Sequence, residues 1–124
     1  MGNRAVIHQE NSPVGIYLHW NGGRNSVEGF LKAAQTLECR GDNYGIARLT
    51  QIIGNYFAGT CSIGVDILEN LDCDNADNGV YVINKEFEIV DRKNFNGKEQ
   101  TSPPTEEMFE DIMQVNRSIF EREN

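Results

Sequence analysis

Apolar positions at the start of the chain recur with a period near two. "AVIHQ" (5–9) and "VGIYLHW" (14–20) read as strands flanking a turn at Asn11-Ser12-Pro13. In the second strand Ile16, Leu18 and Trp20 fall on one face, and Tyr17 and His19 on the other. From Ser26 the period becomes helical. Val27, Phe30, Leu31, Ala34 and Leu37 form one stripe of a helix running to about Glu38. Asn25 or Ser26 can cap it, and Asn25 with Glu28 has capping-box spacing. "CRGD" breaks the pattern. A second helix, about Asn43 to Ala58, turns Ile46, Leu49, Ile53, Tyr56 and Phe57 inward and Arg48, Gln51 and Asn55 outward. Asp42 or Asn43 caps its start and Gly59 stops it. Gly45 and Gly54 inside this helix each cost ~1 kcal/mol against Ala, which predicts close packing against the backbone there.

The second half returns to short β-rich runs at 61–68, 79–84 and 87–92, the last two joined by a two-residue turn near Lys85-Glu86. "NLDCDNADNG" between the first two is a polar, acidic loop. Residues 93–104 have linker composition and lead into an amphipathic helix over 105–121. Met108, Ile112, Val115 and Ile119 form its stripe, widened by Phe109, Met113 and Phe120. The order predicts a single α+β domain over residues 1–124. Its core is an antiparallel sheet of about five strands, with two helices after strand 2 and a long C-terminal amphipathic helix. The breadth of the last apolar face predicts that part of it is shared with a second copy, making a homo-oligomer.

With 124 residues the chain has material for one core and not two. It lacks an apolar run of roughly 18 residues, the least a membrane span needs. "MGNRAVIHQENS" lacks the apolar core of a signal peptide, and Val6 stands where a myristoylation pattern needs Ser or Thr. These features predict a soluble cytoplasmic protein with no membrane partner. Cys39, Cys61 and Cys73 are odd in number and form no CxxC pair, which argues against a zinc cluster and for buried thiols acting as small hydrophobes. The net charge of −8 is uneven: residues 1–62 hold five basic and four acidic residues (+1), and residues 63–124 six basic and fifteen acidic (−9). With no Lys/Arg cluster, direct nucleic-acid binding is disfavoured. A bound anion belongs in the near-neutral first half, whereas the acidic second half suits a basic partner.

Chemistry concentrates in "HWNGGRNS". A strand leading through a glycine-rich turn into a helix points several N–H groups and the positive end of the helix dipole at one spot. Gly22 and Gly23 would let a ligand approach the backbone, and Arg24 would grip a phosphate. Asn21, Asn25 and Ser26 complete the loop, and His19 and Trp20 supply a donor and a stacking face. Tyr44 could also stack on a base, with Arg48 and Asn55 as further contributors. The spacing matches neither a Walker A loop nor GxGxxG, and a tight turn before a capped helix explains the same residues. Asp72, Asp74, Asp77 and Gly79 resemble a calcium loop superficially. Ala76 occupies the third ligand position and no Glu falls in register, so a solvated turn is favoured and no metal is expected. His8 and His19 are the only histidines; a hairpin of the first two strands could bring them together, but no catalytic motif joins them. No catalytic residues and no cofactor are assigned, so a binding role is expected rather than an enzyme.

"GNRAVI", "GIYLHWNGG", "DNYGIARL", "IGNYF" and "NLDCDNADNGVYVI" resemble segments of a family of small accessory proteins carried by bacteriophages and prophages. The resemblance covers about residues 2–92 and implies no site residue. It implies a phage product acting in the bacterial cytoplasm, with host defence as the target. The expected partner is then a small nucleotide-like signal held at the NGGRN loop. The alternative partner is a host defence protein, blocked directly by the acids of the 66–77 loop and of 106–111. A hydrolase of such a signal is a second alternative.

Overall fold

In the computed structural model, which describes residues 2–58 and 62–123 (the side chains of 43 and 118–123 excepted), the two predicted N-terminal strands form an antiparallel hairpin. They are β1 (Ala5–Gln9) and β2 (Val14–Leu18). The turn between them works because Asn11 takes a left-handed φ of 65°, a conformation asparagine tolerates better than most residues. Helices α1 (Arg24–Thr36) and α2 (Asn43–Phe57) follow, then β3 (Ile63–Ile67), a single 3₁₀ turn (Leu68–Asn70), β4 (Val80–Ile83), β5 (Ile89–Lys93) and α3 (Glu106–Glu123).

The α+β class is as expected, but the sheet is mixed. Its order is β3-β2-β1-β4-β5, and β1 pairs with β4 in parallel while the other three pairings are antiparallel. The reason lies in the connection from β3 to β4. Twelve residues, 68–79, cross the outer face of the sheet from one side to the other, a length that permits parallel alignment. The crossover is itself packed: Leu68, Leu71 and Cys73 lie against Val6, Val80 and Val82 of that face. The two central strands are thereby covered on both faces. Ala5, Val6 and Ile7 have no exposed surface and all four residues of β4 are buried, which is why these stretches read as apolar runs.

The opposite face carries the main core. Ile7, Ile16, Leu18, Tyr81 and Ile83 of the sheet meet Phe30 and Leu31 of α1, Leu49, Ile52 and Ile53 of α2, and Ile112 and Met113 of α3. Fully burying each aliphatic or aromatic side chain of this kind contributes about 1.5–3 kcal/mol. Met108 and Phe109 also pack on this core beside Ile112 and Met113, and Val115 of the same helix is 42% exposed. Asn116, fully buried, ties α3 to α2: its amide donates to the Ile52 and Ile112 carbonyls and accepts from Asn55 Nδ2 at 2.8 Å.

Several local expectations are corrected. Trp20 is not a core-facing strand residue; β2 ends at Leu18, and Trp20 is 45% exposed with its ring edge against His19. Helix α1 begins at Arg24 with Gly23 as N-cap, and no capping box forms, because Glu28 pairs with Arg24 and Asn25 Oδ1 accepts the Ser26 N–H. The β4–β5 connection spans 84–88, since Phe87 adopts φ 60° and buries its ring in the core instead of starting a strand. Asp42 caps α2 by accepting the Tyr44 N–H. Gly45 sits tightly under the Arg40 carbonyl, whereas Gly54 has only ordinary contact with Ile63. The expected roles of Gly59, Cys61, Ile119 and Phe120 lie outside the described residues.

Candidate functional site

The NGGRN loop sits at one end of the sheet, beside the start of β1. The Gly22 N–H donates to the Asn3 carbonyl (2.8 Å), and the buried Tyr81 hydroxyl donates to the Gly22 carbonyl (2.7 Å). Burial pushes the Tyr81 phenol up to about 12, so it stays a neutral donor. A Cβ at Gly22 would lie 2.4 Å from Asn3 O. Gly22 therefore makes room for the protein's own N-terminal strand, not for a ligand.

The start of α1 is already satisfied from within. The Arg24 N–H donates to Gln100 Oε1 at 2.8 Å, and the Ser26 N–H to Asn25 Oδ1 at 2.9 Å. Arg24 Nε bonds Glu28 (2.8 Å) and its Nη1 bonds Glu99 (2.9 Å). Glu99 is shared with Arg92, whose other amino group donates to the Asn78 carbonyl (2.8 Å) and whose guanidinium lies between the rings of Tyr81 (3.9 Å) and Phe95 (4.0 Å). Burial tends to raise the Glu99 carboxyl, but its bonds to Arg92 and Arg24 outweigh that and hold its pKa below the ordinary carboxylate range. Arg92 Nε is buried without a partner among the described residues. The linker-like 93–104 stretch is thus docked: Glu99 and Gln100 stand where a phosphate at the α1 N-terminus would stand.

Next to this cluster a groove of about 460 Å³ runs between α1 and the β4–β5 hairpin. Leu31, Phe87, Ile89 and Pro104 give it apolar walls, and Arg24, Glu28, Lys32, Gln35 and Glu88 its polar ones. Its size falls in the range of small-molecule sites.

The other expected contributors are scattered. Asn21 donates weakly to Ser26 Oγ within the loop (3.4 Å). Tyr44, 51% exposed and stacked under Arg40, starts α2 at the far end of the sheet, where Gln9 donates to the Gly41 carbonyl. The length of β1 places that end roughly 20 Å from the NGGRN loop. Arg48 lies near Cys39 beyond the end of α1, and Asn55 is committed to Asn116. None of Trp20, Tyr44, Arg48 and Asn55 lines the groove. His19 bonds the Tyr17 hydroxyl through Nδ1 (2.9 Å) at the NGGRN end, whereas His8 is in register with Gly15 and bonds the Ser12 carbonyl, so the hairpin separates the two histidines.

The acidic 72–78 loop meets the NGGRN end of the sheet. Asn78 Nδ2 donates to Asn3 Oδ1 (2.6 Å), and Arg4 Nε bonds Asp77 (2.8 Å), joining the 72–78 loop to the NGGRN end through residues 3 and 4. The hydrogen bonds from Arg4 lower the Asp77 pKa. Asn75, buried, organises this loop by accepting the Asp77 and Gly79 N–H groups. Among the described residues no group of three His, Cys, Asp or Glu side chains could hold a metal ion. The acids of 66–77 flank the outer face of the sheet and those of 106–111 lie in the helix layer, so they form two surfaces rather than one.

Arg92, Glu99, Gln100 and Tyr81 are absent from the expected site. Nothing local in the sequence marks them, because Glu99 and Gln100 lie 75 and 76 residues from their partner Arg24. Among the described residues no helix is long and apolar enough to cross a membrane. Comparison with protein-family models, with curated proteins and with solved structures finds no match to the chain.

Proposed function

We propose that the chain is a non-enzymatic binding protein that sequesters a small anionic, nucleotide-type molecule, its charged end at Arg24 and its flat part in the adjoining groove. The observation that carries this reading is the convergence of two guanidinium groups and an α1 N-terminal N–H on one segment, Glu99-Gln100, with one of those arginines, Arg24, also lining a ligand-sized groove. Bidentate guanidinium groups and free helix-start donors are what phosphate recognition requires. If "LHWNGG" and "DNGVYVI" mark a phage accessory protein, as their resemblance implies, the captured molecule would be a host's nucleotide signal.

A thermal-shift screen against cyclic di- and trinucleotides, ADP-ribose and NAD, with recovery of the ligand afterwards, tests the reading. A ligand present at 100 times its Kd stabilises the folded state by about 2.7 kcal/mol. The expected result is a shift for one class, ligand recovered intact, and loss of the shift in Arg24→Ala. Chemically altered ligand would replace the reading with an enzyme; a flat panel would remove it.

A second reading is favoured by the charge pairing. Arg4, Arg24, Arg40 and Arg92 are each matched to carboxylates, while Asp66, Glu69 and Asp74 stay exposed with no cation bonded to them among the described residues. That surface suits direct inhibition of a basic host protein. Arg24→Ala would leave such inhibition intact.

A further inference from the structure

Residues 94–105 have no regular secondary structure, yet they are fastened at several points. Phe95 shares the Arg92 guanidinium with Tyr81, Glu99 bridges Arg92 and Arg24, Gln100 accepts the Arg24 N–H, and Pro104 packs beside Gly29 of α1. We infer that this segment is a strap that closes the anion site by competition, Glu99 and Gln100 holding the positions a bound phosphate takes when the strap is displaced. The inference rests on the groove beside Arg24 being an anion site and supplies its regulation.

The asymmetry of the contacts shows which part moves. Arg92 is only 13% exposed and keeps the Asn78 carbonyl and the Tyr81 ring when the strap leaves. Arg24 keeps Glu28. Glu99, 36% exposed on a segment with no ladder or helix bonds, has nothing comparable. A single carboxylate offers one charge to the two arginines, whereas a diphosphate offers more charge and more acceptor oxygens in the same space. Partly exposed ion pairs are individually weak, so the strap is displaceable, and its cost appears as a reduced apparent affinity.

The test compares the full chain with Glu99→Gln and Gln100→Ala, using ADP-ribose and inorganic pyrophosphate as probes at low salt. The rate of chymotrypsin cleavage after Phe95 reads the strap without reference to any ligand, and calorimetry reads binding. The expected result is faster strap cleavage in Glu99→Gln, together with roughly fivefold to tenfold tighter binding of the probes. Adding pyrophosphate to the unaltered chain speeds strap cleavage. Faster cleavage in Glu99→Gln with unchanged affinity overturns the competition, as does a probe that slows strap cleavage. Unchanged cleavage in both variants overturns the fastening. Opened strap and no binding of either probe by any of the three proteins overturns the groove reading itself, and the inference with it.

Discussion

Gly22→Ala separates a glycine kept for the fold from one kept for a ligand. A Cβ at position 22 would lie 2.4 Å from Asn3 O and 2.8 Å from Ala5 Cβ, against about 3.5–4.0 Å for a favourable contact. Both neighbours belong to the start of β1 and its lead-in, which are backbone or fully buried, so the loop must retreat by about 1 Å. Overpacking of this kind costs typically 1–3 kcal/mol. The retreat also breaks two hydrogen bonds, Gly22 N–H to Asn3 O and Tyr81 Oη–H to Gly22 O, worth roughly 0.5–1.5 kcal/mol each. The expected loss is about 4 kcal/mol, from a total that for a domain is typically about 5–15 kcal/mol. That corresponds to a Tm lower by roughly 15 °C. Gly23→Ala is the control: its Cβ would stand 3.2 Å from Asn25 Oδ1 and Gln100 Oε1, both ends of side chains that can rotate away. Because those oxygens accept the Arg24 and Ser26 N–H groups, it should cost about 1–2 kcal/mol, roughly half the loss at Gly22 or less. Urea unfolding followed by circular dichroism and by Trp20 fluorescence measures both. A Gly22→Ala protein within about 0.5 kcal/mol of the parent would refute the packing account.

Asn116→Ala removes a fully buried amide that bonds both α2 and its own helix, and should destabilise by roughly 2–4 kcal/mol in urea denaturation; an unchanged midpoint would mean that α2 and α3 dock without it. The carboxyls of Asp77 and Glu99 both titrate below the ordinary range when folded. Their stabilisation is therefore full above the unfolded-state pKa of about 4 and is lost as pH falls through the lower folded values. Tm measured from pH 7 down to pH 2 should fall most steeply below about pH 4, and Asp77→Asn should flatten that fall. Identical profiles for the two proteins would rule out the Arg4–Asp77 pair as a source of acid lability.

The helices and the central strands were legible because each buries a face that local periodicity reports. Val27, Phe30, Leu31 and Ala34 are spaced as a stripe and all four are buried. Parallel pairing of β1 with β4 was not legible, since it depends on where a twelve-residue crossover lands and not on the pattern within either strand. Nor was Phe87, whose left-handed φ is enforced by the Asn84 side chain accepting the Glu86 and Glu88 N–H groups. At the site, "NGGRN" was correctly placed between strand and helix, but its glycines answer to Asn3 and Gln100, which no spacing rule connects to it.

In a chain of net charge −8, the partners of its arginines decide between the two functional readings. Capture of an anion needs Arg24 released from Glu99, whereas an acidic inhibitory surface is served by keeping every guanidinium matched to a carboxylate. Glu99→Gln therefore pushes the two in opposite directions. It frees two arginines for phosphate and makes the chain as a whole one charge less negative, which weakens long-range attraction of a basic protein. A host protein bound through electrostatic steering would associate more slowly with Glu99→Gln, and still more slowly as salt rises. A captured nucleotide would instead bind this variant more tightly at low salt. The sign of the change in affinity, read for one substitution at a residue that looked like linker, distinguishes a sponge from an inhibitor.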